Sequence, residues 1–350
     1  MLPCQKSVTM TQKLKIFDTT LRDGEQAPDN TFSIEQKVQI ALALESLGVD
    51  TIEAGFPMSS SVDYQATKLI AKQIKESSVC ALARTKKEDI DRAAEALEGA
   101  MLPSLHMFIA TSPIHMQYKL RLSPGEVLEK ISESISYAKK RISNIIFGFE
   151  DATRSDYDFL SSAVRTATDA GASSITIADT VGFYLPEQYG SLIKRLSQKY
   201  EDDINIGTHC HNDLGLATAN TLAGIYNGAS EVQVTVNGIG ERAGNTSLEE
   251  VAAALHTRKD YFEREFSIDL ARIYETSKLV YQILGRTPSH EKAIVGENAF
   301  RHEAGIHQNG LKKEPTTYEI IDPTLVGRER EFVYGRHSGR EVCRRLGINK

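Results

Sequence analysis

The run Thr208-His209-Cys210-His211-Asn212-Asp213 carries two histidines two residues apart. In an extended strand that spacing puts both imidazoles on one face, where they can share one ion. Two neutral nitrogens and a carboxylate form a facial ligand set that leaves coordination positions open for substrate oxygens. Asp23, in Asp18-Thr19-Thr20-Leu21-Arg22-Asp23, is the best candidate for the carboxylate. Asn245, closing the run that starts at Asn237, either adds an amide oxygen or is a turn residue. Cys210 must point the opposite way along the strand and reads as buried filler. The glycines at 238 and 240 lack the strand, turn and helix spacing of a dinucleotide fingerprint.

Elements that position such a set are visible as eight β-rich runs, each followed by helical periodicity. They are Leu14–Asp18, Thr51–Ala54, Ser78–Ala83, Leu105–Ile109, Asn144–Phe149, Ser174–Ala178, Asn205–Cys210 and Glu231–Val236. Repeated strand–helix units mean a parallel sheet, either doubly wound or closed. The polar residues favour closure, because barrel chemistry is built at the C-terminal ends of strands. Asp18, Arg22 and Asp23 follow the first run, Glu53 ends the second and Arg84 follows the third, while His106 lies early in the fourth. Glu150 follows the fifth, Thr180 the sixth, the two histidines the seventh, and Asn237 with Glu241-Arg242 the eighth. The expected fold is a (β/α)8 TIM barrel over residues 14–285. Helix starts at Ser33 and Ser123 and stops at Gly48, Gly99 and Gly171 divide it consistently. A helical pattern from Phe262 to Leu284 ends at Gly285-Arg286-Thr287-Pro288, and residues 286–350 are expected to form a small C-terminal α/β subdomain.

Composition narrows the function classes. The chain has 350 residues, 41% of them hydrophobic and 25% charged, enough for a barrel plus an appended unit. A net charge of −6 argues against a nucleic-acid partner, and no apolar run of membrane-spanning length is present. Cys4, Cys80, Cys210 and Cys343 are unpaired in spacing, which suits a cytoplasmic protein better than a disulfide framework. Residues 1–13 are too polar for a signal peptide and are expected to be a disordered leader.

Three motifs together carry a resemblance: Phe17 to Gln26, His209-Cys210-His211-Asn212-Asp213-Leu214-Gly215, and Asn237 to Asn245. They resemble the family of 2-isopropylmalate, homocitrate and citramalate synthases, from about Lys15 to the end of the chain. The resemblance implies barrel enzymes that condense acetyl-CoA with a 2-oxo acid and hydrolyse the thioester. It also implies that Asp23, His209 and His211 hold a divalent ion, Mn2+ or Mg2+ with Zn2+ a third candidate, with Asn245 nearby. The chemistry agrees: a 2-oxo acid offers a carboxylate and a keto oxygen in a five-membered chelate, and a cation polarises the keto carbon. Arg22 is then placed to stabilise an enolate or alkoxide oxygen; its alternative is a salt bridge to Asp18 or Glu53.

Glu150 and Thr180 match family positions that contact the 2-oxo acid or its water. The segments holding Leu82, His106 and Glu150 look most like isopropylmalate synthases, for which the acid is 3-methyl-2-oxobutanoate and the pathway leucine biosynthesis. Citramalate or homocitrate synthesis and a metal-dependent carbon–carbon lyase are the alternatives; lyases of this superfamily acting on hydroxymethylglutaryl-CoA use a mouth cysteine, and none here is suitably placed. Family members usually show Ser-Pro-Glu-Asp where this chain has Gly148-Phe149-Glu150-Asp151. In the second unit, Glu297 to Gly310 resembles the family's motif whose final histidine, His307, is the candidate base, with Tyr318 beside it. Many members carry Asp where this chain has Asn309, which makes His302 with Glu303 a second candidate. Family members pass these residues to the partner's barrel mouth, which implies a homodimer. Many also continue into an amino-acid-binding regulatory domain, expected to be absent here. Arg336-His337-Ser338-Gly339-Arg340 reads as a basic helix start or a coenzyme A phosphate contact.

Overall fold

The computed structural model describes residues 13–200 and 203–339. Eight parallel strands close into a barrel in sequence order: β1 (Lys15–Asp18), β2 (Thr51–Glu53), β3 (Ser78–Arg84), β4 (Pro103–Ala110), β5 (Asn144–Glu150), β6 (Ser174–Asp179), β7 (Asn205–Cys210) and β8 (Glu231–Val234). Closure is made by β1 against β8, with Lys15 opposite Glu231 and Asp18 opposite Val234. The helices that follow are α1 (Ile34–Leu47), α2 (Ser61–Gln73), α3 (Lys87–Ala96), α4 (Pro124–Ala138), α5 (Tyr157–Asp169), α6 (Pro186–Tyr200), α7 (Ala217–Tyr226) and α8 (Leu248–Thr257). All eight strand expectations hold to within two residues at each end. Among the described residues no helix is long and apolar enough to cross a membrane.

Local chemistry explains the boundaries. Ser33 and Ser123 each close a capping box with the residue three positions on, satisfying amide donors at the first turns of α1 and α4. Gly48 ends α1 at φ +91, and a Cβ there would lie 2.3 Å from the Ser267 carbonyl. Only glycine fits this close approach.

The two faces of the strands have different jobs. Outward side chains such as Ile52, Val79, Leu105, Phe147 and Ile175 join the helices in one large apolar core. Inward ones follow the period of two: Phe17, Cys80 and Ile146 form a separate buried cluster low in the barrel. Above them the inward positions turn polar.

Two sequence expectations change. The helical pattern expected over Phe262–Leu284 is broken: a short turn Lys259–Phe262 ends at Glu263 with φ +49, and α9 begins only at Ile273 and runs to Ile283. The intervening stretch crosses the barrel base, where Leu14 donates to the Glu265 carbonyl and Asp269 to that of Leu47. Lys13, assigned above to the leader, is bridged to Glu265 and paired with Asp50 at 2.7 Å. The rest of the leader, Cys4, Arg340 and Cys343 lie outside the described residues.

Beyond Gly285 the elements are smaller. β9 (Arg301–His302) pairs in parallel with β10 (Glu331–Phe332), and α10 covers Gly305–Lys313. Phe300, Ile321 and Val326 form a small apolar cluster that packs on Ala253 of α8.

Candidate active site

The inward column of each strand meets at the C-terminal mouth in a cavity of about 310 Å³. Arg22, Asp23, Leu82, His106, Glu150, Thr180, His209 and His211 all line it, whereas Asp18, Glu53, Arg84 and Asn237, also expected at the mouth, do not. At its floor Asp23 Oδ2 lies 3.1 Å from His209 Nε2 and 3.8 Å from His211 Nε2. The two imidazole Nε2 atoms are 3.1 Å apart.

Each ligand candidate is held from behind. Gln233 Oε1 accepts the Nδ1–H of His209 at 2.8 Å, which leaves the Nε2 lone pair facing Asp23 and His211. Burial, with His209 alongside, pushes the His211 imidazole down to about 3, so it is neutral at physiological pH. Burial alone would raise the Asp23 carboxyl, but the Arg22 guanidinium holds it well below the usual range. Three electron-rich atoms therefore converge within 4.8 Å of one another. Ligand atoms around a small divalent ion in an octahedron sit about 3 Å apart, so this donor set fits one. Asn245 is bridged to His211, and its Oδ1 is buried without a hydrogen-bond partner, which suits a fourth donor rather than the turn reading.

Arg22 lines the cavity and also makes the salt bridge to Glu53 that was its alternative reading. Its Nη1 lies 2.9 Å from Asp23, and its Nε donates to Glu53 Oε2 at 2.7 Å. The alternative partner Asp18 is bonded to Thr20 instead. Glu53 is fully buried and also accepts the Nδ1–H of His106 at 2.7 Å. Burial would raise the Glu53 carboxyl, yet Arg22 and His106 keep it below the ordinary glutamate value. The His106 Nε2 has no partner, and a Cβ at Gly148 would lie 2.9 Å from it.

On the far wall Thr180 Oγ accepts the Asp151 amide at 2.9 Å, which leaves its O–H to donate into the cavity. Glu150 is bound by Lys119 at 2.6 and 2.7 Å. Sequence reasoning missed Lys119 and Gln233. Gln233 had a signal, a polar residue at an inward position of Glu231-Val232-Gln233-Val234. Lys119 had none, because a π-helical turn over Met116–Leu120 brings it to the mouth.

His307 and Tyr318 are not in this cavity. They stack at 4.1 Å on the C-terminal elements, with Tyr318 43% exposed. The second candidate pair is not formed: His302 lies 3.2 Å from Glu319, while Glu303 accepts the His337 amide. The Gly335–Ser338 stretch is a turn, with Gly335 N–H donating to Ser338 Oγ. Cys80 and Cys210 are both buried with thiols pushed up by burial, Cys210 to about 12, so neither offers a thiolate at the mouth.

Residues 13–280 match the HMGL-like family model, and residues 294–347 match the homocitrate synthase post-HMGL domain-like model. The 2-isopropylmalate synthase of Listeria monocytogenes serotype 4a is 51% identical over 345 residues, covering 97% of this chain and 67% of the relative. That of Pyrococcus furiosus is 51% identical over 339 residues, covering 96% of this chain and 68% of the relative. The chain thus spans about two thirds of the length of these curated relatives. Among solved structures, an HMG-CoA lyase from Acinetobacter baumannii superposes with a TM-score of 0.67 at 20% identity, covering 81% of this chain and 95% of its own. The carboxyl transferase domain of Rhizobium etli pyruvate carboxylase gives 0.62 at 16%, covering 87% and 54%. Both likenesses concern the barrel fold. By its matched models and half-identical relatives, the chain belongs to the 2-isopropylmalate synthase family of HMGL-like enzymes.

Proposed function

We propose that the chain condenses acetyl-CoA with 3-methyl-2-oxobutanoate and hydrolyses the thioester, releasing 2-isopropylmalate and CoA for leucine biosynthesis in the cytoplasm. The observation that carries this reading is the convergence of Asp23, His209 and His211 beside Arg22 at the cavity floor, with the unpartnered Asn245 oxygen on the segment bridged to His211. Together they would hold Mn2+ or Mg2+, with Zn2+ the third candidate. A bound divalent ion supplies Lewis acidity at the keto carbon, worth several kcal/mol of charge stabilisation.

The chain's own groups do the rest. Thr180 donates its hydroxyl to the acid's carboxylate, and Leu82 with His106 and Phe108 bounds its alkyl group. His307 takes a proton from the acetyl methyl group, with Tyr318 beside it. The new carbanion attacks the keto carbon, and Arg22 stabilises the oxygen that becomes negative. Glu150 then orients water onto the thioester carbonyl, whose C–S bond breaks to give carboxylate and thiol.

Since His307 and Tyr318 lie outside their own chain's cavity, they serve the mouth of a second copy, with residues 14–285 as catalytic barrel and 286–350 as a subdomain that packs on its own barrel and presents His307 and Tyr318 to the partner. Exposed apolar residues support this: Ile114, Tyr118, Phe183 and Leu214 on loops at the mouth, and Ile306 and Ile320 beside the His307–Tyr318 stack. A free-thiol assay of CoA release, run with a panel of 2-oxo acids with and without chelator, tests the proposal. The expected result is metal-dependent turnover that is greatest with 3-methyl-2-oxobutanoate. Unchanged activity after complete metal removal rejects the ion's role; preference for pyruvate or 2-oxoglutarate rejects the named product alone.

A further inference from the structure

A group of charges outside the cavity bears on the same ligands. Residues 245–247 run as an extended segment alongside the end of β7: Asn212 donates to the Gly244 carbonyl just before it, Thr246 to that of Cys210, and Asn245 pairs with His211. On its other side the segment is stitched to the stretch after β8, through Asn245 N–H to Gly238 and Leu248 N–H to Thr235. That stretch turns at Asn237, whose φ of +65 is a left-handed conformation that side chains rarely adopt. The turn is held by Glu249 Oε2, which accepts the Asn237 amide at 3.0 Å, and by Ser277, whose carbonyl accepts its side-chain amide at 3.1 Å.

Glu249 is 1% exposed, and its Oε1 has no hydrogen-bond partner. An isolated buried carboxylate is costly, so a nearby cation is needed to offset it. Lys292 supplies it, with Nζ at 3.4 Å from Glu249 Oε1. The same ammonium donates to Glu250 at 2.5 Å and to Ser247 Oγ at 3.0 Å. Burial alone would lower the Lys292 ammonium, but Glu249 and Glu250 more than offset it and hold it above the ordinary lysine value.

We infer that Lys292 is a positioning residue for the metal centre: it neutralises Glu249, which fixes the Asn237 turn, and pins Ser247, which keeps Asn245 against His211. The inference rests on the reading of Asp23, His209, His211 and Asn245 as the ion's ligands. Lys292 lies beyond Gly285, in the part of the chain that also carries His307 and Tyr318. It therefore ties the elements bearing the proposed base to the segment bearing a metal ligand.

Calorimetric titration of the intact protein with Mn2+ tests this. K292M is expected to weaken Mn2+ binding by up to about 10-fold, the low end of the range for groups that bond a ligand directly, because Lys292 acts through Ser247 and Glu249. In an N245A background K292M should cost nothing further, because Asn245 is the route by which it acts. In an E249Q background only part of the cost should remain, since a neutral amide still accepts the Asn237 N–H and needs no counter-ion, while the Ser247 contact is still lost. The E249Q pair also serves if K292M alone does not fold. Wild-type-like Mn2+ binding by K292M, or the same loss in either background, overturns the inference and leaves Lys292 a fold-stabilising residue. Absence of Mn2+ binding by the wild-type protein would instead reject the ion site itself.

Discussion

Gly148→Ala probes how the cavity measures its substrate. A Cβ there would sit 2.9 Å from His106 Nε2 and 3.4 Å from Phe108 Cβ, and both neighbours line the cavity. His106 does not swing aside freely, because its Nδ1–H is bonded to Glu53, which also holds Arg22. A hydrogen bond to a charged group contributes about 1.5–3 kcal/mol, so the ring resists displacement. The added carbon is then taken from the space offered to the acid's alkyl group. Apolar pockets distinguish groups differing by one methylene by about 1–3 kcal/mol, or roughly 10–200-fold. The variant should therefore lose that factor in kcat/KM for 3-methyl-2-oxobutanoate relative to pyruvate, read by thiol release at subsaturating acid. An equal fall for the two acids would mean that His106 moved and the pocket kept its volume. No fall for either would mean that the site absorbs a methyl group. Both results refute the argument from Gly148 to specificity.

Three further outcomes are expected. Glu53→Gln removes the charge shared by Arg22 and His106 and should lower kcat about 10–100-fold, from the hydrogen-bond range of about 1.5–3 kcal/mol; a normal kcat would mean that Asp23 alone orients Arg22. Glu231, buried low in the barrel, has its carboxyl raised by burial from 4.5 to about 7. The folded chain keeps a proton that the unfolded chain sheds, so this group's contribution to stability is intact below pH 4.5 and is lost as pH rises towards about 7. Glu231→Gln should thus gain at most roughly 3 kcal/mol at pH 8 and nothing at pH 4 in urea unfolding, and an equal gain at both pH values would assign the effect to packing. Finally, His307→Ala and Glu150→Gln should each be inactive alone, yet regain about a quarter of wild-type activity when co-expressed as mixed dimers. No recovery would place His307 at its own chain's site or outside catalysis.

How much of this was legible in the sequence depends on the distance over which each feature is determined. Strand positions were readable because inward and outward residues alternate locally, and the candidate ligands because His209 and His211 obey the same period. The break before α9 was not readable. Glu263 to Ser267 is shaped by Lys13, Leu14 and Gly48, more than 200 residues earlier in the chain, while the local apolar spacing still reads as helix. Lys119 escaped for a related reason: a π-helical turn changes the residue count per turn, and so which side chain reaches Glu150. Glu53 was visible as a strand-end acid, but its joint hold on Arg22 and His106 exists only once β1, β2 and β4 are closed into a barrel.

The charges around the cavity also imply an order of binding. Among the described lining residues each cation already has a carboxylate: Arg22 has Glu53 and Asp23, Lys119 has Glu150, and Arg242 has Asp213. Behind the wall, Glu53 is fully buried and charged, which places further negative potential at the mouth. A monoanionic acid entering this site finds no surplus positive charge, and neutral donors such as the Thr180 hydroxyl are left to meet its carboxylate. A divalent ion at Asp23, His209 and His211 reverses the sign of the field at the floor. The acid should therefore bind the metal-loaded protein and not the metal-free one, while acetyl-CoA affinity should depend far less on the ion. Calorimetric titration of 3-methyl-2-oxobutanoate into metal-free protein tests the argument directly. Equal affinity in the two forms would mean that one of the three cations leaves its carboxylate to receive the acid, and Lys119, half-exposed at the rim, would be the first to examine.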